Sequence, residues 1–159
     1  MAADGSGGPS WTGSRRRATR CGRQAVRAGG VPWTILRATQ FHAFVNQAFV
    51  NQAFTAMARL GALVADPGVR AQPVDVRDVA ARLVTLVERG PGGRVEEIGG
   101  PQVLSMAEAA TQWLRARDSR RPVLRVRVPG GPGRAFRAGH LTSEGATGMI
   151  RWADYLAGQ

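Results

Sequence analysis

The chain has 159 residues, 43% of them hydrophobic, enough for one domain with a packed core. Its formal net charge of +11 sets 22 basic residues, all of them arginine, against 11 acidic ones; the absence of lysine excludes a lysine Schiff base, a Walker lysine and a Tyr-x-x-x-Lys pair. Cys21 is the only cysteine, which excludes an intrachain disulfide, and no apolar run reaches the length of a membrane span, so a soluble cytoplasmic protein is expected.

Residues 1–22 are Gly-, Ser- and Arg-rich, with Trp11 the only large apolar side chain, and are expected to be disordered. A short helix over 23–28 is stopped by Gly29-Gly30. Pro32 leads into a buried strand, Trp33 to Leu36, followed by a polar turn and a helix. Such a strand normally has parallel neighbours and helices on both faces. The thirty residues before Val31 contain nothing that supplies those neighbours.

Within the next helix, Val45-Asn46-Gln47-Ala48-Phe49 is copied as Val50-Asn51-Gln52-Ala53-Phe54. Five residues advance a helix by about 500°, so Phe44, Phe49 and Phe54 cannot share one face. Either this helix is apolar nearly all round and sandwiched between layers, or one copy forces a bulge.

Leu63-Val64-Ala65 and Ala71 to Asp75 read as extended pieces around an Asp66-Pro67-Gly68 turn. Asp78 is expected to cap a helix over Val79–Arg89, with Val79, Leu83, Leu86 and Val87 on its buried face. Val95–Ile98 is a short strand leading to Gly99-Gly100-Pro101. Ser105 and Glu108 form a capping box for a helix that turns Met106, Ala109, Ala110, Trp113 and Leu114 inward. In Val123–Val128, Leu124, Val126 and Val128 alternate with Arg125 and Arg127, which predicts an edge strand with the apolar set inside. After a Gly/Pro hinge at 130–133 comes a last helical stretch, then a tail offering Ile150, Trp152, Tyr155 and Leu156 for docking. Alternating helices and strands argue for an α/β layered fold.

Three motifs in order, Pro32-Trp33-Thr34-Ile35-Leu36-Arg37-Ala38-Thr39-Gln40-Phe41-His42, Gln72-Pro73-Val74-Asp75-Val76-Arg77-Asp78-Val79-Ala80, and Gly99-Gly100-Pro101 before the Ser105 helix, resemble the C-terminal part of the NmrA-like, NAD(P)H-binding branch of the atypical short-chain dehydrogenase/reductases. The resemblance spans about Gln24 to Gly158. It implies an incomplete Rossmann-like fold over 23–159, with a small α+β substrate-side subdomain and residues 1–22 as a segment foreign to the family. The family's Gly-rich pyrophosphate loop has no counterpart: Gly5-Ser6-Gly7-Gly8-Pro9 lacks a preceding strand and a following helix. The Tyr and Lys that many members carry before this strand are also missing, as a truncated or frame-shifted gene start would produce.

By the same resemblance, Ala38, Thr39, Gln40 and Phe41 line the nicotinamide and substrate side of the cleft. Thr39 and Gln40 offer hydrogen bonds and Phe41 a flat apolar wall, the usual mixture of a small-molecule pocket. The alternative is that Thr39 or Gln40 caps the next helix and Phe41 packs in the core. His42 has near-neutral titration but no partner at a telling spacing, so a satisfied structural histidine is expected, and His140 reads as surface. Asp75 and Asp78 are explained by a turn and a cap. No His, Cys, Asp and Glu cluster has metal-ligand spacing.

The arginines gather at 15–27 and 115–137. Without a nucleic-acid-binding motif they read as solvated charge, the second cluster alternatively meeting a phosphate or carboxylate. The expectation is therefore part of an NAD(P)-dependent oxidoreductase acting on a small-molecule substrate, inactive and unable to hold NAD(P) well alone. A non-catalytic NAD(P)-sensing regulator and a basic nucleic-acid-binding module are the alternatives.

Overall fold

The computed structural model describes residues 22–53, 59 and 61–159. The Gly5–Pro9 run, the Arg15-Arg16-Arg17 run, Cys21, and Phe54 of the second repeat copy lie outside them. In chain order the elements are α1 (22–28), β1 (Ile35–Ala38), α2 (His42–Gln52), β2 (Leu63–Ala65), β3 (Arg70–Ala71), α3 (Val76–Arg89), β4 (Val95–Gly99), β5 (Leu104–Ser105), α4 (Met106–Arg115), β6 (Val123–Arg125), α5 (Gly130–Arg137), β7 (Ala146–Thr147) and α6 (Trp152–Ala157).

The strands form three small sheets. Parallel β1, β4 and β7 lie in the order β1-β4-β7, parallel β2 pairs with β6, and antiparallel β3 pairs with β5. This is the expected α/β architecture with parallel pairing. Strand β1 begins two residues later than predicted, because the Trp33 carbonyl and Thr34 hydroxyl accept from Gly93 N–H (2.8 Å) and Gly92 N–H (2.8 Å), outside the ladder. Its whole length pairs with β4, Ile35 opposite Val95 through Ala38 opposite Ile98. No strand among the described residues pairs with its other edge.

The larger core joins α2, α4 and α6 to β2. Val45, Phe49, Leu63, Trp113, Leu114, Trp152 and Leu156 meet there over the small side chains of Ala107, Ala109 and Ala110. The indoles place their N–H groups as well as their rings: Trp113 donates to Asn46 Oδ1 (2.8 Å) and Trp152 to the Ala109 carbonyl (3.1 Å). Helix α4 follows expectation, since the Ser105–Glu108 capping box is complete and its apolar stripe is buried. The tail docks on this core through Trp152 and Leu156. The repeat is only partly absorbed: Val45 and Phe49 are buried while Phe44 stays exposed, so α2 has no continuous apolar stripe.

A smaller core of Val74, Val79 and Ile98, with Leu36 and Ala146 against it, lies between the β1-β4-β7 sheet and α3. Helix α3 corrects two expectations. Its N-cap is Asp75, which accepts from Arg77 N–H (2.9 Å), while Asp78 sits in the first turn and accepts from Met149 and Ile150 N–H (3.0 Å each). Asp78 thus holds the returning tail and leaves the cap to Asp75. The predicted apolar face is only half covered: Val79 and Leu86 are buried, but Leu83 and Val87 remain 47% and 79% exposed. With Leu36 and Thr34 they line a groove of about 310 Å³ beside β1.

Strand β6 also departs from its pattern. Val123 packs against the larger core, whereas Leu124, Val126 and Val128 are exposed, and the ladder stops at Arg125. One narrow strand with a single neighbour offers no buried face for a six-residue alternation.

Gly100 is forced by close approach: a Cβ there would lie 1.7 Å from the Pro73 carbonyl oxygen. Replacing it with alanine must displace the backbone of residues 72–74, so Gly100→Ala is expected to destabilise by about 2–3 kcal/mol. Gly131→Ala, with nothing near its Cβ position, should be neutral or slightly stabilising in urea unfolding; equal midpoints for the two variants would contradict the packing.

Candidate functional site

The carboxyl end of β1 delivers Ala38, Thr39 and Gln40 to the side of the molecule where residues 72–74 and 141–143 converge. Thr39 N–H continues the ladder to the Ile98 carbonyl (3.0 Å), and its hydroxyl donates to the Gln72 carbonyl. The Gln40 carbonyl accepts from Val74 N–H (2.9 Å). Gln72 is itself buried. Its carboxamide donates to the Gly100 carbonyl (2.8 Å) and accepts from Ser143 N–H (2.8 Å), while its backbone bonds Leu141 (3.1 Å) and Gly100 (3.3 Å). One side chain therefore fastens three chain segments beneath the end of β1.

Two cavities meet at Gln40. The smaller, about 70 Å³, is polar and is bounded by Arg37, Ala38, Thr39, Gln40, Glu97, His140, Thr142 and Ser143. Arg37 pairs with Glu97, which also accepts from the Ser143 hydroxyl (3.1 Å). The larger is a cleft of about 390 Å³, walled by Phe44, Val45, Ala48, Phe49, Val64, Val69, Met106, Phe136 and Leu141, with Gln40, Gln52 and Asp66 as its polar residues. The Gln40 Oε1 atom is buried without a hydrogen-bond partner among the described residues. A buried acceptor left unpaired costs about 1–3 kcal/mol.

Phe41 lines neither cavity. It is 39% exposed, bridges Val74 through its backbone and stands at the N-cap of α2 without a side-chain bond. Neither Thr39 nor Gln40 caps that helix, so the capping alternative fails for both.

Asp66 borders the cleft but is engaged. It accepts from Gly68 N–H (2.9 Å), Val128 N–H (2.9 Å) and the Arg137 guanidinium (2.5 Å). Burial alone would push its pKa up, but the two N–H groups and Arg137 outweigh that and hold it below the ordinary carboxylate value. The same pair anchors α5 and so sets the position of Phe136. Sequence reasoning missed Gln72 as a clamp and Asp66–Arg137 as an anchor; the only signals were a glutamine inside a recognised motif and an Asp-Pro-Gly turn.

His42 is 1% exposed, its ring packed against the stacked pair Trp152 (5.6 Å) and Tyr155 (5.1 Å). Its Nδ1 is 3.5 Å from Asp75 Oδ2, and Asp75 and the Pro73 backbone are its polar neighbours, both at the long end of hydrogen-bonding geometry. It is buried as expected, with Asp75 and the Pro73 backbone as weak partners. Burial lowers its pKa below the ordinary value, against the opposing pull of Asp75. Asp75, held by Arg77, falls to about 2 even though burial raises it. Asp75 and Asp78 have separate structural partners and do not form an acid–base pair. Among the described residues no three His, Cys, Asp or Glu side chains gather as a metal site, and no helix is long and apolar enough to cross a membrane.

A dinucleotide needs a glycine-bounded space for its pyrophosphate. The Gly99-Gly100 turn does not provide one, because Gln72 and Pro73 already fill the positions where glycine hydrogens would otherwise face a ligand. The Gly99-Gly100 turn therefore has no room for a pyrophosphate.

No family model matches the chain. Over 100 residues, 62% of its length, it is 35% identical to (4-alkanoyl-5-oxo-2,5-dihydrofuran-3-yl)methyl phosphate reductase of Streptomyces griseus subsp. griseus, of which it spans 34%. Its structure superposes on RMD from Pseudomonas aeruginosa complexed with NADPH with a TM-score of 0.52 and 16% identity, covering 87% of this chain and 50% of that one. NmrA, a negative transcriptional regulator in complex with NADP, superposes at 0.47 and 18% identity over 72% of this chain and 39% of its own. The chain is thus similar in sequence to a third of a reductase, and it has the Rossmann-like fold of half of an NADPH-bound protein.

Three buried titrating groups, His42, Asp66 and Asp75, act in the same direction, with Asp66 adding to the loss below pH 4. Neutral His42 is favoured by folding, so stability is lost as pH falls below its ordinary value of 6.5. Ionised Asp75 is also favoured, and its contribution, on the order of 1–2 kcal/mol after screening at exposed Arg77, disappears between about pH 4 and the folded value of about 2. Urea midpoints should therefore fall from pH 7 to pH 5, and His42→Phe should flatten that slope while leaving the loss below pH 4. An unchanged slope between pH 7 and pH 5 in the variant would contradict the assignment.

Proposed function

We propose that the described residues form the substrate-side part of an NAD(P)-dependent oxidoreductase, with Gln40 and the apolar cleft receiving a small organic substrate. The observation that carries this reading is the position of the cleft. It opens where parallel strand β1 ends, and the outer edge of that same strand has no partner among the described residues. Ligands of open α/β sheets bind outside the carboxyl ends of their strands.

The free edge of β1 and the half-covered face of α3 are where the cofactor-binding strands and their helices would pair and pack. Ala38, Thr39 and Gln40 would then face the nicotinamide side, with Thr39 held by the Gln72 carbonyl and Gln40 free to meet the ligand. The cleft walls suit the apolar part of a substrate, as an alkanoyl chain is in the similar reductase. Asp66 is committed to Arg137, so these residues supply orientation and exclusion of water, and no proton transfer is assigned to them. In this reading residues 23–159 form this part, and residues 1–22 are a segment foreign to it.

Titration with NADH, which carries no phosphomonoester and is read by its fluorescence, is expected to show no saturable binding by this chain at micromolar concentrations; micromolar saturation would overturn the missing-cradle reading. A medium-chain alkyl ligand should still bind the cleft. Phe44→Ser or Phe136→Ser, both at exposed positions on its wall, should weaken that ligand about tenfold, the loss of roughly 1.4 kcal/mol of apolar contact. Unchanged affinity in both variants would place the ligand elsewhere.

A further inference from the structure

The second arginine cluster of the sequence is not solvated charge spread at random. Arg115 from the last turn of α4, Arg120 and Arg121 from the following turn, and Arg125 from β6 line one recess of about 290 Å³, together with Thr111 and Ser119. No carboxylate lines it. None of these four guanidinium groups has an ion-pair partner among the described residues; Arg125 feels only the field of Glu108.

A helix C-terminus can explain nearby cations, because its free carbonyls attract them. Here those carbonyls are already bonded. The Gln112 carbonyl accepts from Ala116 N–H (3.0 Å), Leu114 from both Arg117 and Ser119 N–H (3.0 Å each), and Arg115 from Asp118 N–H (3.1 Å). Asp118 takes a left-handed conformation, φ 49°, to close this turn. The Trp113 carbonyl is approached by Arg117, which also stacks on the Trp113 ring at 4.0 Å and is bonded to Asn46. Arg117 therefore has a structural role, and the four around the recess do not.

Four arginines lining one concavity, with no ion-pair partner among the described residues, repel each other, and an anion bound there would relieve that repulsion. Their planar, forked donors match phosphate oxygens better than any point charge does. We infer that this recess is a binding site for a small phosphomonoester, with Arg120 and Arg121 as its principal ligands and the Ser119 hydroxyl beside them. The site is separate from the apolar cleft and does not depend on the oxidoreductase reading: the recess touches Val123 at the start of β6, while the cleft touches Val128 beyond its end.

Calorimetric titration of the full chain with phenyl phosphate, at constant ionic strength set with chloride, tests the inference. One saturable site per chain is expected, weakened at least tenfold in R120A/R121A and in a second pair, R121Q/R125Q. Because all these positions are exposed, both variants should melt at the parent temperature. Inorganic phosphate should compete for the same site, which distinguishes recognition of the phosphate from recognition of the phenyl ring. Absence of saturable binding above the chloride background would overturn the inference, as would affinity unchanged in both pairs. So would oligothymidylate binding that grows with length and is lost equally when Arg15, Arg16 and Arg17 are neutralised, since that pattern is diffuse nucleic-acid attraction.

Discussion

Residues 72–75 cross between the end of β1 and the Gly99-Gly100 turn, and the rest of the site depends on how completely they are bonded there. Gln72 ties down Gly100, Ser143 and the Thr39 hydroxyl; Val74 N–H bonds to Gln40; Asp75 caps α3. A glutamine buried at this depth is tolerable only because both ends of its carboxamide are satisfied. The consequence reaches function directly. Thr39 is immobilised, Gln40 is held by its backbone at the border of the cleft, and the glycine turn that elsewhere could cradle a phosphate is filled by protein.

Local patterns were the legible part. The α4 helix could be read in full because a capping box and a 3.6-residue apolar stripe are properties of adjacent residues. The strand–turn–helix order around β1 and β4 was legible for the same reason. What failed was decided at long range. Asp78 has the chemistry of an N-cap, yet the tail at Met149 and Ile150 recruits it, 71 and 72 residues away, and Asp75 takes the cap. The alternation in residues 123–128 promised a buried face that no second layer supplies.

The candidate site was legible only in its first wall. Ala38, Thr39 and Gln40 follow a strand and border the small polar cavity, whereas Phe41 lines neither of the two cavities described. The remaining walls come from residues 44–52, 64–71, Met106 and 128–141, which no spacing rule connects. His42 shows the same limit from the other side. Its burial was expected, but its packing against the stacked Trp152–Tyr155 pair, over a hundred residues away in sequence, could emerge only from the fold.

A parallel strand paired on one side, beside a helix whose apolar face is half bare, is the central feature of the account. Amide hydrogen exchange at β1 tests it most directly. Ile35 and Thr39 N–H bond to β4 at 3.0 Å, so by the two-residue period of a strand the amides of Leu36 and Ala38 point to the other edge. The account predicts that Leu36 and Ala38 exchange at least a hundredfold faster than Ile35 and Thr39. Equal protection of all four would mean that the outer edge of β1 is already covered, and the account would be wrong.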